Sequence, residues 1–239
     1  MTIGLPPGHR VYAVGDIHGM HDSLLRMLDL IDLHLAAYPP SGPVTEIFLG
    51  DYVDRGPDSF GVIETLLAPR DNRQRICLLG NHEDAMMGAL NDAHLVHRWL
   101  TFGGEATCLS YGLDVDVAGR DPQALQPWLN SALPTAHRDF LFSLPRQVEI
   151  GGVLFVHAGI RPGVPLGEQD PHDLIWIREE FLDYGGPLPM HVVHGHTPVS
   201  EPEHHPFRTN IDTGAVFGGA LTAAVMEGEE VSFLTIPTR

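Results

Sequence analysis

The sequence predicts an α/β fold in which two stacked, mixed β-sheets are flanked by helices. Three observations predict it. Short apolar runs at residues 10–14, 46–49 and 75–79 each end in a glycine and a polar residue. Helix-period stretches separate them, and strand–helix–strand–helix–strand implies a parallel sheet with right-handed crossovers. After Pro145 the chain turns β-rich, giving a second strand cluster and hence a helix–sheet–sheet–helix sandwich.

The elements follow in order. Residues 10–14 form the first strand. Residues 21–35 read as a helix with Leu24, Leu28, Ile31 and Leu35 on one face and Asp22 or Ser23 as N-cap. Pro39, Pro40, Gly42 and Pro43 mark a loop before the strand at 46–49. Pro57 and Asp58 open a second helix running to about Leu67, and 75–79 is the third strand. A helical insertion of about 84–144 follows, with helices at 84–89, 93–102, 105–109, 122–129 and 134–144. Gly103-Gly104 and the segment 112–119 separate them, and the layer is placed to wall one side of a site. Strands at 147–150 and 153–156 make a hairpin across Gly151-Gly152. A Gly- and Pro-rich loop at 161–171, a short segment at 174–184 and Val192-Val193 come next. Strands at 209–212, 221–226 and 231–236 complete the second run, the last two joined by a turn at Glu227-Gly228-Glu229-Glu230.

Composition bounds the function. The chain has 239 residues, 43% hydrophobic and 19% charged, which suits one domain spanning 1–239 with a sizeable core. The formal charge is −17, and with no Lys every basic residue is Arg. So acidic a surface argues against binding a nucleic-acid polymer or an anionic membrane. Bound divalent cations would offset part of it. Cys77 and Cys108 form no CxxC pair, so neither a disulfide framework nor a thiolate zinc site is expected. Residues 1–10 lack a signal pattern, and no apolar run approaches the roughly 20 residues of a spanning helix. The expectation is a cytoplasmic protein.

The strand ends carry the chemistry. Gly15-Asp16-Ile17-His18-Gly19, Gly50-Asp51-Tyr52-Val53-Asp54-Arg55-Gly56 and Gly80-Asn81-His82-Glu83 follow the first three strands; His157-Ala158-Gly159 and His194-Gly195-His196 follow two later ones. Open α/β sheets place ligands at such ends. A lone Asp after a strand is more often a helix cap, and a lone His more often a satisfied polar group. Five such ends together are hard to obtain by chance. Carboxylate, imidazole and amide oxygen without thiolate suit Mn, Fe, Zn or a similar divalent ion. Two such ions about 3.5–4 Å apart form a clamp for displacement at phosphorus, with Asp51 as their bridge.

These motifs resemble the three hallmark motifs and two later histidine motifs of the phosphoprotein phosphatase (PPP) family of calcineurin-like metallophosphoesterases. The resemblance runs from Asp16 to the Asp212-Thr213-Gly214 region, and Trp176-Ile177-Arg178-Glu179 is similar to the bacterial and phage branch. It implies a four-layer fold and two divalent metals, most simply Mn, with Fe or Zn as alternatives. Asp16, His18 and Asp51 would bind the first metal, and Asp51, Asn81, His157 and His196 the second. His82 would be the general acid, Asp54 would orient it, and Arg55, Arg178 and Asn81 would grip the phosphate. A hydroxide bridging the ions would attack phosphorus directly. Pro198 stands where the wider superfamily often has another metal-binding His, as in the PPP branch.

The resemblance implies a serine/threonine protein phosphatase acting on phosphoprotein or phosphopeptide; regulatory partners cannot be read from it. The alternative is a dinucleoside polyphosphate hydrolase, for instance one cleaving diadenosine tetraphosphate symmetrically. Glu83 and the Tyr52-Val53 pair lean towards the phosphatase. A non-catalytic phosphopeptide-binding module would have lost a ligand or His82, and none is lost. Smaller features remain. His194 shares a strand face with His196 and is a candidate beside the metals. His204-His205 reads as an exposed loop. Gly103 to Thr107 is either a rim turn or a helix start, Phe217-Gly218-Gly219 either reaches substrate or closes a hairpin, and Asp212 is a candidate neighbour of the metals.

Overall fold

The computed structural model describes residues 4–70, 73–113 and 121–238. The expected separator at 112–119 lies largely outside the described residues. β1 (Arg10–Val14), β2 (Val44–Phe48) and β3 (Gln74–Cys77) pair in parallel, linked by α1 (His21–Ala37) and α2 (Ser59–Leu67). α3 (Asn81–Asn91), α4 (Ala93–Trp99), α5 (Glu105–Ser110), α6 (Pro122–Ala132) and α7 (Thr135–Ser143) form the helical layer, with an irregular turn at Leu100–Gly104. β4 (Gln147–Ile150) and β5 (Val153–Val156) form the antiparallel hairpin. Two short helices follow, α8 (Asp173–Trp176) and α9 (Glu179–Leu182). β6 (His191–His194), β7 (Glu203–His204), β8 (Arg208–Asn210), β9 (Ala220–Glu227) and β10 (Glu230–Pro237) complete the chain.

The sheets run β10-β9-β1-β2-β3 and β4-β5-β6-β8-β7. The last two strands therefore leave the second cluster: β9 lies antiparallel on β1, with Ala13 opposite Ala224. Eight residues long and buried at its centre, β9 is an interior strand that needs two neighbours.

Period-two alternation builds the layers. Val11 and Ala13 of β1 face Val153 and Phe155 of β5 and Val193 of β6 in the core between the sheets. Tyr12 and Val14 point the other way, onto Leu24, Met27 and Ile31 of α1. Leu154 and Val156 face outward onto Ile175 and Phe181 of α8 and α9.

Several boundaries differ from expectation. α1 is capped by Met20, without a side-chain hydrogen bond, so Asp22 and Ser23 fall in its first turn. α2 begins at Ser59 because Asp58 is its N-cap, its carboxylate accepting from the Gly61 N–H at 2.7 Å. α3 starts at Asn81 rather than 84, because Glu83 reaches back to the Gly80 N–H and sets the N-cap at Gly80. β3 stops at Cys77, where Leu78 turns to the Phe48 carbonyl and Leu79 to that of Pro145. His204 is not in a loop: it belongs to the edge strand β7, its Nδ1 2.8 Å from Thr209 Oγ1. No helix among the described residues is long and apolar enough to cross a membrane.

His191, at the start of β6, is buried beside Thr209 Oγ1 at 2.7 Å, with the His204 ring 5.4 Å away. Burial, aided by His204, pulls its pKa down to about 4. The unfolded chain therefore takes up this proton first. The stability His191 contributes is complete above its unfolded pKa near 6.5 and is lost as pH falls towards 4. His191→Gln should flatten the acid limb of the thermal stability profile between pH 6.5 and 4, by roughly 2–3 kcal/mol across that range. Parallel limbs for wild type and variant would contradict the assignment.

Candidate metal centre

Five strand ends from both sheets converge on one buried cluster. Asp16 and His18 follow β1, Asp51 follows β2, Asn81 and His82 open α3 beyond β3, His157 follows β5 and His196 follows β6. All seven are buried. His18, Asp51, Asp54, Arg55 and His196 all have positive φ, the left-handed region that non-glycine residues seldom adopt. Such strain concentrates where the surrounding structure forces side chains inward, and these five belong to the motifs singled out in the sequence.

The histidine tautomers follow from their backbone partners. His18 donates from Nδ1 to the Val53 carbonyl at 2.9 Å, and His157 from Nδ1 to the Leu49 carbonyl at 3.0 Å. Each therefore turns an Nε2 lone pair to the centre. Asn81 Oδ1 lies 3.0 Å from both His157 Nε2 and His196 Nδ1, and Asp51 Oδ1 lies 3.4 Å from His157 Nε2. Burial lowers the pKa of His157, and holds His18 at about 3 and His196 at about 2. These imidazoles are thus neutral. Burial alone would raise the Asp51 pKa, but the histidine rings crowded around it, among them His82 with its raised pKa, outweigh burial and lower it.

Neutral imidazole, amide oxygen and carboxylate oxygen face one another with lone pairs inward, an arrangement a divalent cation relieves. The donor set accordingly fits metal. Two groups, His18 with Asp51 and His82, and Asp51 with His157 and His196, each bring their ligand atoms within 4.8 Å of one another. Asp51 belongs to both. Asp16 lies at the edge: its carboxylate accepts from the His196 N–H at 3.2 Å. Burial, then Asp212 and Asp51 nearby, raises its pKa well above the usual range, so a cation would relieve this crowding too.

Around the cluster, His82 Nδ1 donates to Asp54 Oδ2 at 2.7 Å, directing Nε2 towards Asp51 Oδ2, 3.9 Å away. Burial opposes charge on His82, but Asp51 and Asp54 prevail and raise its pKa. Arg55 is exposed; its guanidinium lies 2.7 Å from His18 Nε2 and over the Phe217 ring at 5.3 Å. Arg178 is exposed as well, and its charge helps lower the pKa values of His157 and His196. Asp212 is buried, its Oδ1 accepting from the Gly214 N–H, and burial raises its pKa to about 6. His194 packs against Phe181 at 5.0 Å, donates to the Gly195 carbonyl and belongs to neither ligand group.

The supporting roles of Trp99, Thr107 and Glu83 were not identified from sequence. The buried Asp54 carboxylate also accepts from Trp99 Nε1 at 3.0 Å and Thr107 Oγ1 at 2.7 Å, both from the helical layer. The Gly103–Thr107 stretch thus serves both readings: Gly103 O accepts from the Arg55 N–H, and Thr107 lies in α5. Glu83 is wholly buried, and its carboxylate accepts the N–H groups of Asp51, Tyr52, Val53 and Gly80 at 2.7–3.1 Å. Gly80 has no side chain to block this, since a Cβ there would meet Asp51 Oδ1. Glu83→Ala leaves four buried donors without their acceptor, at about 1–3 kcal/mol each before water compensates. A loss of roughly 3–5 kcal/mol in urea unfolding is expected, with Glu83→Gln losing less because one carbonyl oxygen remains.

A buried oxygen- and nitrogen-donor cluster at the strand ends of a two-sheet sandwich, rimmed by arginines, defines a metal-dependent phosphoesterase. The chain belongs to the calcineurin-like phosphoesterase family, whose model matches residues 9–219. A protein of Halalkalibacterium halodurans named bis(5′-nucleosyl)-tetraphosphatase PrpE (asymmetrical) is 29% identical over 247 residues, covering 95% of this chain and 93% of that protein. A crystal structure described as a candidate diadenosine tetraphosphatase superposes with a TM-score of 0.66 at 25% identity, over 100% of this chain and 98% of that one. A cold-active protein tyrosine phosphatase shares the fold, with a TM-score of 0.62 at 17% identity, over 98% of this chain and 82% of that one.

Proposed function

We propose that this chain hydrolyses dinucleoside polyphosphates asymmetrically, water and diadenosine tetraphosphate giving ATP and AMP. The observation that carries this is end-to-end similarity to proteins named for that activity. The features that leaned towards a phosphoprotein substrate have other roles. Tyr52 and Val53 are fully buried, with Tyr52 Oη donating to the Phe48 and Leu78 carbonyls, and Glu83 holds the Asp51 loop. None of the three is available to select a substrate.

Asp16, His18 and Asp51 would hold one divalent ion, and Asp51, Asn81, His157 and His196 the other. When bound, such ions lower the pKa of water and neutralise phosphoryl charge. The chain's own groups do the rest. Arg55 and Arg178 hold phosphoryl oxygens, the planar guanidinium engaging two at once. His82, oriented by Asp54 and with its pKa raised by Asp51 and Asp54, delivers a proton from Nε2 to the departing oxygen as water oxygen bonds to phosphorus and the bridging P–O bond breaks. Loading the protein with manganese and comparing diadenosine tetraphosphate with a phosphoserine peptide tests this. A kcat/KM about 10²-fold higher for the dinucleotide, with ATP and AMP as products, is expected; the reverse preference would overturn the reading.

A further inference from the structure

We propose that the cleft between α3, α4 and α8 seats one nucleobase of the substrate; this rests on the dinucleotide reading above. The cleft encloses about 200 Å³ and is lined by Asp84, Arg98, Phe102, His172 and Trp176 among others. Drug-sized ligands occupy about 300–1,000 Å³, so this space suits one ring system with the rest of the molecule outside.

Aromatic rings in its wall lead to the candidate metal centre. The Phe102 ring lies 6.1 Å from that of His82 and 5.9 Å from Trp176; Trp176 in turn lies 6.1 Å from His196. His172 stacks on Trp176 with a 16° interplanar angle, and Arg98 lies over Phe102 at 5.6 Å. Phe102 and Trp176 are only half-buried, although rings of this size usually seek the core. Bases stack on such platforms, and guanidinium groups add to the attraction. The half-buried Asp84 carboxylate offers an acceptor to an exocyclic amine. Arg98 supplies positive charge to a polyphosphate on a chain that is otherwise strongly acidic.

The arm is short. A base seated one ring away from His82 and His196 leaves room for a ribose before the centre, so the phosphorus presented there is the one joined to that ribose. Cleavage at that atom releases a nucleoside monophosphate.

AMP carries adenine where ribose 5-phosphate carries the C1 hydroxyl, so their inhibition constants against p-nitrophenyl phosphate hydrolysis by the manganese-loaded enzyme report the contribution of the base. AMP should inhibit roughly 10-fold more tightly than ribose 5-phosphate. Trp176→Leu should bring the ratio close to one, and Trp176→Phe should keep most of it; the ratio cancels any change at the phosphate subsite. A wild-type ratio near one, or a ratio indifferent to Trp176→Leu, would overturn the assignment. Should diadenosine tetraphosphate be cleaved efficiently with a ratio near one, only the cleft assignment fails. A high ratio that Trp176→Leu abolishes, without dinucleotide cleavage, supports the base seat and overturns the reaction assigned to it.

Discussion

Asp51→Asn is expected to lower kcat/KM by about 10³-fold or more and to reduce bound metal below two equivalents. Altering a group that merely supports a metal ligand typically costs about 10–100-fold. Among the described residues Asp51 is the one common to both candidate ligand groups, so its loss would affect both ions. The isosteric amide keeps the oxygen that accepts from the His82 N–H at 3.1 Å, so the fold of the loop is preserved and the charge alone is removed. Elemental analysis with circular dichroism separates this from unfolding. A folded Asp51→Asn protein holding two ions and retaining activity within tenfold would disprove the bridging role.

The second large effect is expected at His82. His82→Ala should lower kcat for an alkyl phosphate ester by about 10²–10⁴-fold, the usual scale for a positioned general acid. The loss should shrink for p-nitrophenyl phosphate, whose leaving group departs without a proton. A dinucleoside polyphosphate, whose leaving phosphate oxygen is about as weakly basic as p-nitrophenolate, should lose about as little as p-nitrophenyl phosphate. Asp54→Asn should share this leaving-group dependence, since Asp54 acts through the 2.7 Å hydrogen bond to His82 Nδ1. Metal content should stay unchanged in the Asp54 variant. Equal losses across the three leaving groups would mean that His82 serves the metals and not the proton.

The residues that meet in the candidate centre were legible because each follows a strand that the sequence also shows. Apolar residues at 11–14 and 153–156 must be buried, and the chain must then turn out of the sheet at Gly15 and at His157. What stands at those turns is local information. Trp99 and Thr107 were not legible, because they reach Asp54 from 45 and 53 residues away through a helical layer whose packing has no local signal. Glu83 was noticed but assigned to substrate preference. Its spacing from Gly80 is that of a capping box, and that signal would have placed it at the start of α3.

The sequence by itself determined the donor chemistry of the candidate centre: oxygen and nitrogen donors and no thiolate at the strand ends, with Arg55 beside them. It determined the layered α/β class as well, because hydrophobic periodicity is written residue by residue. Only the tertiary structure decided which donors meet. It placed Asp51 between two ligand groups, moved β9 and β10 into the first sheet, and buried Tyr52, Val53 and Glu83 away from any substrate. It also opened a partly aromatic cleft beside the candidate metal centre from residues on α3, α4 and α8, the residue before α8 and the turn after α4. Periodicity fixes which face of an element is buried. Which distant face it is buried against depends on packing of the whole chain, and substrate choice depends on that packing.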